Sequence, residues 1–316
     1  MKAVVVGEFG GPEQLRLAEV ADPVPGPGQV RVAVHAAGVN PVDAGNRADG
    51  SWAGLTAPCI LGYDIAGIVQ STGPGVTGLA PGDRVMAMTH FRDGAGGYAE
   101  LAVVDAGLVA PIGPAVSFTA AAATPLAAGT AHDLLARLAL PAGSSLLVLG
   151  GSGGVGLFVL QLAAAAGIMT ISVGRQALHE QMLSLGASFC IDYMRDDVAR
   201  RAVLLAGGRV DAIADLVGGT LAQTVLAALR PGGQIAAIAT PLLDLDPILD
   251  DNITFHGVLI QDNGDRTRRL AALLADSTLR PVVRHVLPLA AAADAHRIVE
   301  SGHAGGKIVL EVTGAS

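Results

Sequence analysis

The stretch Leu146–Gly156, Leu-Leu-Val-Leu-Gly-Gly-Ser-Gly-Gly-Val-Gly, constrains the fold more than any other part of the chain. A short apolar run ends in glycines, and Gly151, Gly153 and Gly156 satisfy G-x-G-x-x-G. An Ala-rich apolar segment follows, as when a buried strand turns sharply into a helix. A pyrophosphate approaches a backbone closely only where side chains are missing, which the first two glycines provide. The third lets the helix pack tightly on the sheet. The helix N-terminus adds free N–H groups and a positive dipole end. With 42 glycines in the chain, a glycine-rich turn without a ligand is the alternative. The strand before and the helix after favour a dinucleotide site.

A chain of 316 residues is long for one core, so two domains are expected. Hydrophobic residues make up 51% and charged residues 15%, which favours a packed protein over disorder. The net charge of −8 gives no basic footprint, so no nucleic-acid partner is expected. The longest apolar stretch, Val155–Val173, is interrupted by Gln161, Gly167, Thr170 and Ser172. It is marginal against the ~20 residues of a membrane span and reads better as a crossover helix plus a buried strand. The N-terminal apolar run, Ala3–Val6, is short and Glu8 follows soon after, so a secretory signal is not expected and a cytoplasmic location is. Cys59 and Cys190 are too few for a disulfide framework or a four-Cys zinc lobe. Both are expected to be buried small apolar residues.

The first third reads as β-rich, with runs at Ala3–Val6, Gln29–Ala36, Ala66–Ser71, Arg84–Met88 and Tyr98–Val104 separated by Pro-Gly, Gly-Pro and Gly-Asp turns. The middle alternates. Strands are expected near Ser145–Leu149, Met169–Val173, Phe189–Ile191, Ala212–Leu216, Gln234–Ala239 and Thr254–Leu259. Helices fall near Gly154–Ala166, Ala177–Leu185, Asp197–Leu205 and Thr220–Leu229. That pattern requires a parallel sheet covered on both faces. The end turns β-like again, with Lys307–Val312 as a strand. The expected organisation is a discontinuous β-rich domain of residues 1–120 and 282–316 around a dinucleotide-binding domain of residues 121–281.

Several further motifs stand in a definite order: Gly38-Val39-Asn40-Pro41-Val42-Asp43, Pro58–Gly67 with Gly62-Tyr63-Asp64, Gly97-Tyr98-Ala99-Glu100, Gly129-Thr130-Ala131, and Gly302-His303-Ala304-Gly305-Gly306-Lys307-Ile308-Val309-Leu310. With the glycine loop, these make the chain resemble, over essentially its whole length, the zinc-independent quinone oxidoreductases of the medium-chain dehydrogenase/reductase superfamily. The resemblance implies an α/β protein: a GroES-like β-rich catalytic domain plus a doubly wound parallel-sheet Rossmann domain, with the active site in the cleft. It also implies hydride transfer from a nicotinamide cofactor to a quinone or an activated alkene, and a homodimer formed through an edge strand near Thr254–Leu259.

Zinc alcohol dehydrogenases of the same superfamily carry Cys where Asn40 stands and His where Tyr63 stands. Catalytic zinc needs three N, S or O protein ligands and an open position, and Asn and Tyr replace thiolate and imidazole poorly. The eight histidines show no H-x-x-H spacing and there is no C-x-x-C, so no metal is expected. Without a Lewis acid, polarising a carbonyl for alcohol chemistry is difficult, and a quinone or a conjugated C=C suits the site better.

NAD enzymes place Asp or Glu at the end of the second strand to hold the ribose 2′-OH. Here that strand ends Ser172-Val173-Gly174-Arg175-Gln176, with no acid, and Arg175 lies 19 residues beyond Gly156. A guanidinium suits a 2′-phosphate, so NADPH is expected, against the alternative of a solvated surface Arg. Tyr193 matches a family position whose phenol touches the same phosphate. Relatives often carry a Lys soon after the strand, where this chain has Gln176, Ala177 and Leu178.

By resemblance, Gly151, Ser152, Gly153, Gly154, Val155 and Gly174 line the cofactor, and Asn40 and Thr130 lie near its nicotinamide ribose and phosphates. Ile238, Ala239 and Thr240 face it, and Val258, Leu259 and Ile260 hold the carboxamide through backbone groups. Tyr63 is the candidate substrate-facing hydroxyl, able to bond a carbonyl oxygen that gains charge or to donate a proton; the alternative is a tyrosine packed behind the site. Trp52, the one Trp, lines the pocket or plugs a loop. Asp43 orients the Asn40 loop or caps a short helix. An enoyl or alkenal reductase of a biosynthetic pathway, and a non-catalytic NADPH-binding sensor, are the alternative functions.

Overall fold

The computed structural model describes residues 1–91 and 96–312. The chain divides into two compact units, one of residues 1–129 and 261–316 and the other of residues 130–260.

The first unit begins with β1 (Lys2–Val6), β2 (Leu15–Glu19) and β3 (Gln29–Val39), then α1 (Pro41–Ala48), β4 (Cys59–Ile60), β5 (Asp64–Thr72), β6 (Arg84–Met88), β7 (Leu101–Asp105), β8 (Val109–Pro111) and α2 (Phe118–Ala122). Strand β3 alternates in its first half, burying Val30, Val32 and Val34 completely, as a half-covered strand of β-branched residues should. From Ala37 to Val39 every side chain is buried, where α2 packs on the strand and β5 and β16 pair along its two edges. The register of β3 against β5 slips at Arg31/Val32 and Val34/Ala36, and such bulges bend a strand and curl its sheet. Helix α1 starts where Pro41 occupies the first turn and the Asp43 carboxylate accepts the Asn40 backbone N–H at 2.8 Å. Both expected roles of Asp43 are therefore filled by one contact.

Helix α3 (Pro125–Leu138) leads into the second unit. There follow β9 (Ser145–Leu149), α4 (Gly156–Ala165), β10 (Met169–Val173), α5 (His179–Ser184), β11 (Phe189–Ile191), α6 (Val198–Ala206), β12 (Val210–Asp215), α7 (Leu221–Val225), β13 (Leu229–Ala237), α8 (Asp246–Asp250) and β14 (Thr254–Gly257). The six strands form one parallel sheet in the order β11-β10-β9-β12-β13-β14. This is the doubly wound order, and it reverses between β9 and β12. Leu147, Leu149, Ile171, Ile213 and Ile235 are fully buried in its core. Each such side chain contributes roughly 1.5–3 kcal/mol on leaving water. The loops at the carboxyl edge are thus mounted on a fully buried sheet core.

The chain then returns to the first unit with α9 (Gly264–Ala275), β15 (Val283–Pro288), α10 (Ala292–Glu300) and β16 (Lys307–Glu311). The large sheet of this unit runs β15-β16-β3-β5-β6-β8, with β7 also pairing with β3, and β2-β1-β4 form a smaller sheet. The unit boundaries differ from the expected ones. Helix α2 and the start of α3 belong to the first unit, because α2 packs on β3, β5 and β6, and Asp64 accepts the Leu126 N–H. Helix α9 belongs there too, since it packs on β6 and β8. Residues 313–316 of the expected C-terminal segment lie outside the described residues.

Candidate functional site

In the second unit, every expected cofactor residue except Thr130 follows the carboxyl end of a strand. Gly151–Val155 follow β9, Gly174 and Arg175 follow β10, Tyr193 follows β11, Ile238–Thr240 follow β13 and Val258–Ile260 follow β14. In open parallel sheets, ligands bind outside this edge at the point where the strand order reverses. Thr130 lies on α3 and is 6% exposed.

The glycine loop passes a geometric test for a pyrophosphate. A Cβ on Gly151 would stand 1.9 Å from Ser172 Oγ, and one on Gly156 would stand 2.4 Å from the Gly150 carbonyl oxygen. At Gly156 the obstacle is backbone and excludes any side chain, whereas at Gly151 it is the buried Ser172 hydroxyl, which a side chain would force to move. Among the described residues, none accepts a hydrogen bond from the backbone N–H of Ser152, Gly154 or Val155. These three partly exposed donors sit at the start of α4, where the helix dipole favours an anion. Gly174 closes the loop from the other side, because a Cβ there would lie 3.2 Å from Ser152 Oγ.

Arg175 and Tyr193 are brought together. The guanidinium Nε donates to the phenolic oxygen at 3.0 Å, and both side chains are exposed. The nearby acid, Asp192, is 7% exposed and occupied with the Met194 N–H and the Arg195 guanidinium. It is therefore not free to serve as a ribose acceptor. Ile238 donates its N–H to the Asp215 carbonyl at 3.1 Å, and the Thr240 carbonyl accepts the Gly219 N–H at 3.0 Å. The Val258 N–H is bonded to the Ala237 carbonyl at 2.9 Å, which leaves the Val258 carbonyl as its backbone group for a ligand. Leu259 is 48% exposed between buried Val258 and Ile260.

In the first unit, Asn40 is the N-cap of α1 and is 1% exposed. Its Nδ2 donates to Asp64 Oδ2 at 2.9 Å and its Oδ1 accepts from the Lys307 ammonium. Lys307 also donates to the Val39 carbonyl and pairs with Asp64 Oδ2 at 3.8 Å. Burial pushes the Asp64 carboxyl up and the Lys307 ammonium down, and each charge opposes the other's shift. Burial also raises Asp43 to about 7. Asp43 interacts with Tyr98, whose hydroxyl lies 3.2 Å from His296 Nε2.

Of the two readings held for Tyr63, its burial fits the packed one. Its side chain has no exposed surface, and its hydroxyl accepts from Asn46 Nδ2 at 2.6 Å. The ring stacks on Phe91 at 5.2 Å, and Phe91 meets the edge of Trp52 at 5.9 Å. Burial, with the nearby Asp43 charge, holds the phenol well above its ordinary pKa. Tyr63 is thus a wall behind Phe91, and Trp52, 44% exposed, is the ring of the three with open surface. Both cysteines are half-buried instead of buried. Asn46, Phe91 and the Asp64–Lys307 pair were missed in the sequence, although Asp64 and Lys307 stand within two of its motifs.

At the positions where zinc relatives carry Cys and His, Asn40 and Tyr63 are each committed to protein partners. Among the described residues, no group of three or more His, Cys, Asp or Glu is arranged to hold a metal ion, and no helix is long and apolar enough to cross a membrane.

Comparison with known proteins agrees with this geometry. A family model described as an alcohol dehydrogenase GroES-like domain matches residues 26–114, and one described as a zinc-binding dehydrogenase matches residues 185–310. The chain is 32% identical to a quinone oxidoreductase of Rattus norvegicus, over 98% of this chain and 97% of that protein. It is 31% identical to an NADPH-dependent alkenal/one oxidoreductase of Arabidopsis thaliana, over 98% of this chain and 79% of that protein. The crystal structure of Escherichia coli quinone oxidoreductase complexed with NADPH superposes with a TM-score of 0.90 at 26% identity, covering 98% of this chain and 100% of that one. A GroES-like unit, a doubly wound dinucleotide sheet and an Asn and a Tyr at the zinc-ligand positions coincide with near full-length relatives, and the chain belongs to the zinc-independent quinone oxidoreductase family of the medium-chain dehydrogenase/reductase superfamily.

Proposed function

We propose that the protein is an NADPH-dependent oxidoreductase that transfers hydride to a quinone or an α,β-unsaturated carbonyl without a metal ion. The observation that carries this reading is the Arg175–Tyr193 pair at the carboxyl edge, where an NAD enzyme would present a carboxylate. The names of the relatives, quinone oxidoreductase and NADPH-dependent alkenal/one oxidoreductase, support the acceptor class. They do not favour a non-catalytic sensor.

When bound, NADPH supplies the hydride, which goes to the quinone or to the β-carbon of the enone. The chain's own residues bind and orient. The free N–H groups of Ser152, Gly154 and Val155 hold the pyrophosphate. The Arg175 fork and the Tyr193 phenol hold the 2′-phosphate. Asn40 and Thr130 hold the nicotinamide ribose, Ile238–Thr240 face the cofactor, and Val258–Ile260 hold the carboxamide by backbone groups. Trp52 offers an apolar ring to the acceptor. Asn40 and Tyr63, both satisfied by protein partners, leave no soft ligand for zinc at that place.

The reading includes a cytoplasmic homodimer. Two free thiols suit a reducing compartment, and β14 is an open sheet edge with exposed Phe255. The test is to wash the protein with a chelator, assay NADPH oxidation with quinones and enones, and identify the product. Retained turnover after chelation is expected. Loss of turnover that zinc restores would contradict the metal-free reading.

A further inference from the structure

The ion pair beside Asn40 is buried and takes no part in the binding roles above. Lys307 is 4% exposed and Asp64 is not exposed at all. Such a pair contributes little to stability, since two charges lose their water and an apolar pair of similar shape often replaces them without loss. Its geometry, however, settles something that packing cannot. A carboxamide and its flipped form have nearly the same shape, so sterics do not choose which end carries oxygen.

Here the partners choose. An ammonium only donates, so the Asn40 atom facing Lys307 is Oδ1. A carboxylate only accepts, so the atom 2.9 Å from Asp64 Oδ2 is Nδ2. Both partners are themselves anchored to backbone. Asp64 Oδ1 accepts the Leu126 N–H at 2.7 Å, and Lys307 Nζ donates to the Val39 carbonyl at 3.3 Å. One Nδ2 proton is then the only side-chain donor Asn40 has left.

We propose that Lys307 and Asp64 are positioning residues that lock the Asn40 carboxamide in one flip state, fixing its remaining N–H as a donor for the nicotinamide ribose of the cofactor. The inference rests on the proposed function, which puts Asn40 at that ribose. A purely structural pair would need only its charges and hydrogen bonds, and these survive if the amide and the carboxylate exchange places.

The test is the swapped double variant Asn40→Asp with Asp64→Asn. It keeps one ammonium, one carboxylate and one amide, and the hydrogen bond between positions 40 and 64 simply reverses. Position 40, however, has no donor. NADPH affinity is measured by fluorescence titration, with Tm and the steady-state constants alongside. The expected result is a Tm close to the parent, an NADPH Kd raised by about threefold to tenfold, and a matching fall in kcat/KM for NADPH, the size of one hydrogen bond between neutral groups. A swap variant that binds NADPH like the parent overturns the proposal.

Lys307→Met combined with Asp64→Leu is the second variant, should the swap fail to fold. It removes the buried charge pair as a unit, so no unpaired buried charge remains and the amide is free to flip. It is expected to weaken NADPH binding several-fold, and parental affinity in the folded double variant also overturns the proposal. If the parent protein itself neither binds nor oxidises NADPH, the functional reading fails and this inference with it. If the parent does both and the variants match it, only the inference fails.

Discussion

Arg175 donates through Nε to the phenolic oxygen of Tyr193 at 3.0 Å, beyond the carboxyl ends of β10 and β11. This bond uses one of five guanidinium N–H groups and leaves the Nη pair for a ligand. Arg175→Asp is predicted to lower the NADPH/NADH ratio of kcat/KM by about tenfold to a hundredfold, the worth of a charged hydrogen-bonded contact. Arg175→Lys should not rescue it, because an ammonium lacks both the fork and the bond to Tyr193. Tyr193→Phe should shift the ratio the same way by less. An unchanged ratio in Arg175→Asp would remove the 2′-phosphate assignment.

The Tyr63 hydroxyl is buried and bonded to Asn46, whose Oδ1 already lacks a partner. Tyr63→Phe is therefore predicted to cost about 1–2 kcal/mol of stability by leaving Asn46 Nδ2 unsatisfied, while kcat stays near the parent value. Chemical denaturation and steady-state kinetics check the two parts separately. A several-fold fall in kcat without loss of stability would return the hydroxyl to the substrate.

His296 is buried, and its Nδ1 faces the Arg47 guanidinium at 3.5 Å. Burial first, and the Arg47 charge second, hold its pKa at about 4. An unfolded histidine titrates near ~6.5. Between those values the unfolded chain binds the proton and the native one does not, so stability is full above the upper value and is lost as pH falls toward the lower. Tyr98, Glu300 and Asp43 are the other titratable groups of this network. Asp43, raised to about 7, acts oppositely, because its native proton makes stability fall as pH rises through that range. Comparison with His296→Gln isolates the histidine. From pH 7 to pH 5 the parent should lose about 2 kcal/mol relative to that variant, read from urea unfolding. A constant gap would mean that His296 is not buried as a neutral ring.

Gly156 begins α4 against the backbone of Gly150 and Gly151, and a Cβ there would stand 2.4 Å from an oxygen and 2.6 Å from a Cα. Neither neighbour is a movable side chain. Gly156→Ala is predicted to lower stability by about 1–3 kcal/mol, as overpacking does, and to weaken NADPH binding by displacing the α4 N-terminus. Thermal unfolding and NADPH titration measure both. Parental values in both would show that the helix does not pack on the loop this closely.

The sequence was most legible where the fold is most regular. Strands β9 and β10 carry the residue bounds expected of them, because buried parallel strands read as short apolar runs closed by glycine; β11 also carries its expected bounds, although it is the edge strand and only Ile191 is buried. Strand β2 went unread, since only Leu15 of its five residues is buried and no alternation survives. Helices α9 and α10 were also missed, their apolar stripes diluted by Arg266, Arg268 and Arg269 in one and by Asp294, His296 and Arg297 in the other. Leu229 was expected to end a helix but opens β13. The division between the compact units at Gly129 and Thr130 falls inside α3, where the Ala-rich run has no turn to mark it. Lys307 and Asn40 are 267 positions apart, and no local pattern links them. The glycine loop and Arg175, by contrast, could be nominated from spacing alone.

The central claim is hydride transfer from NADPH to a quinone or enone. The most direct measurement is steady-state loss of nicotinamide absorbance with NADPH and NADH in parallel, against a panel of quinones and α,β-unsaturated carbonyls. Turnover with kcat/KM clearly higher for NADPH, on at least one acceptor of these classes, is the predicted result. Tight NADPH binding with no oxidation across the whole panel, or a clear preference for NADH, would contradict it.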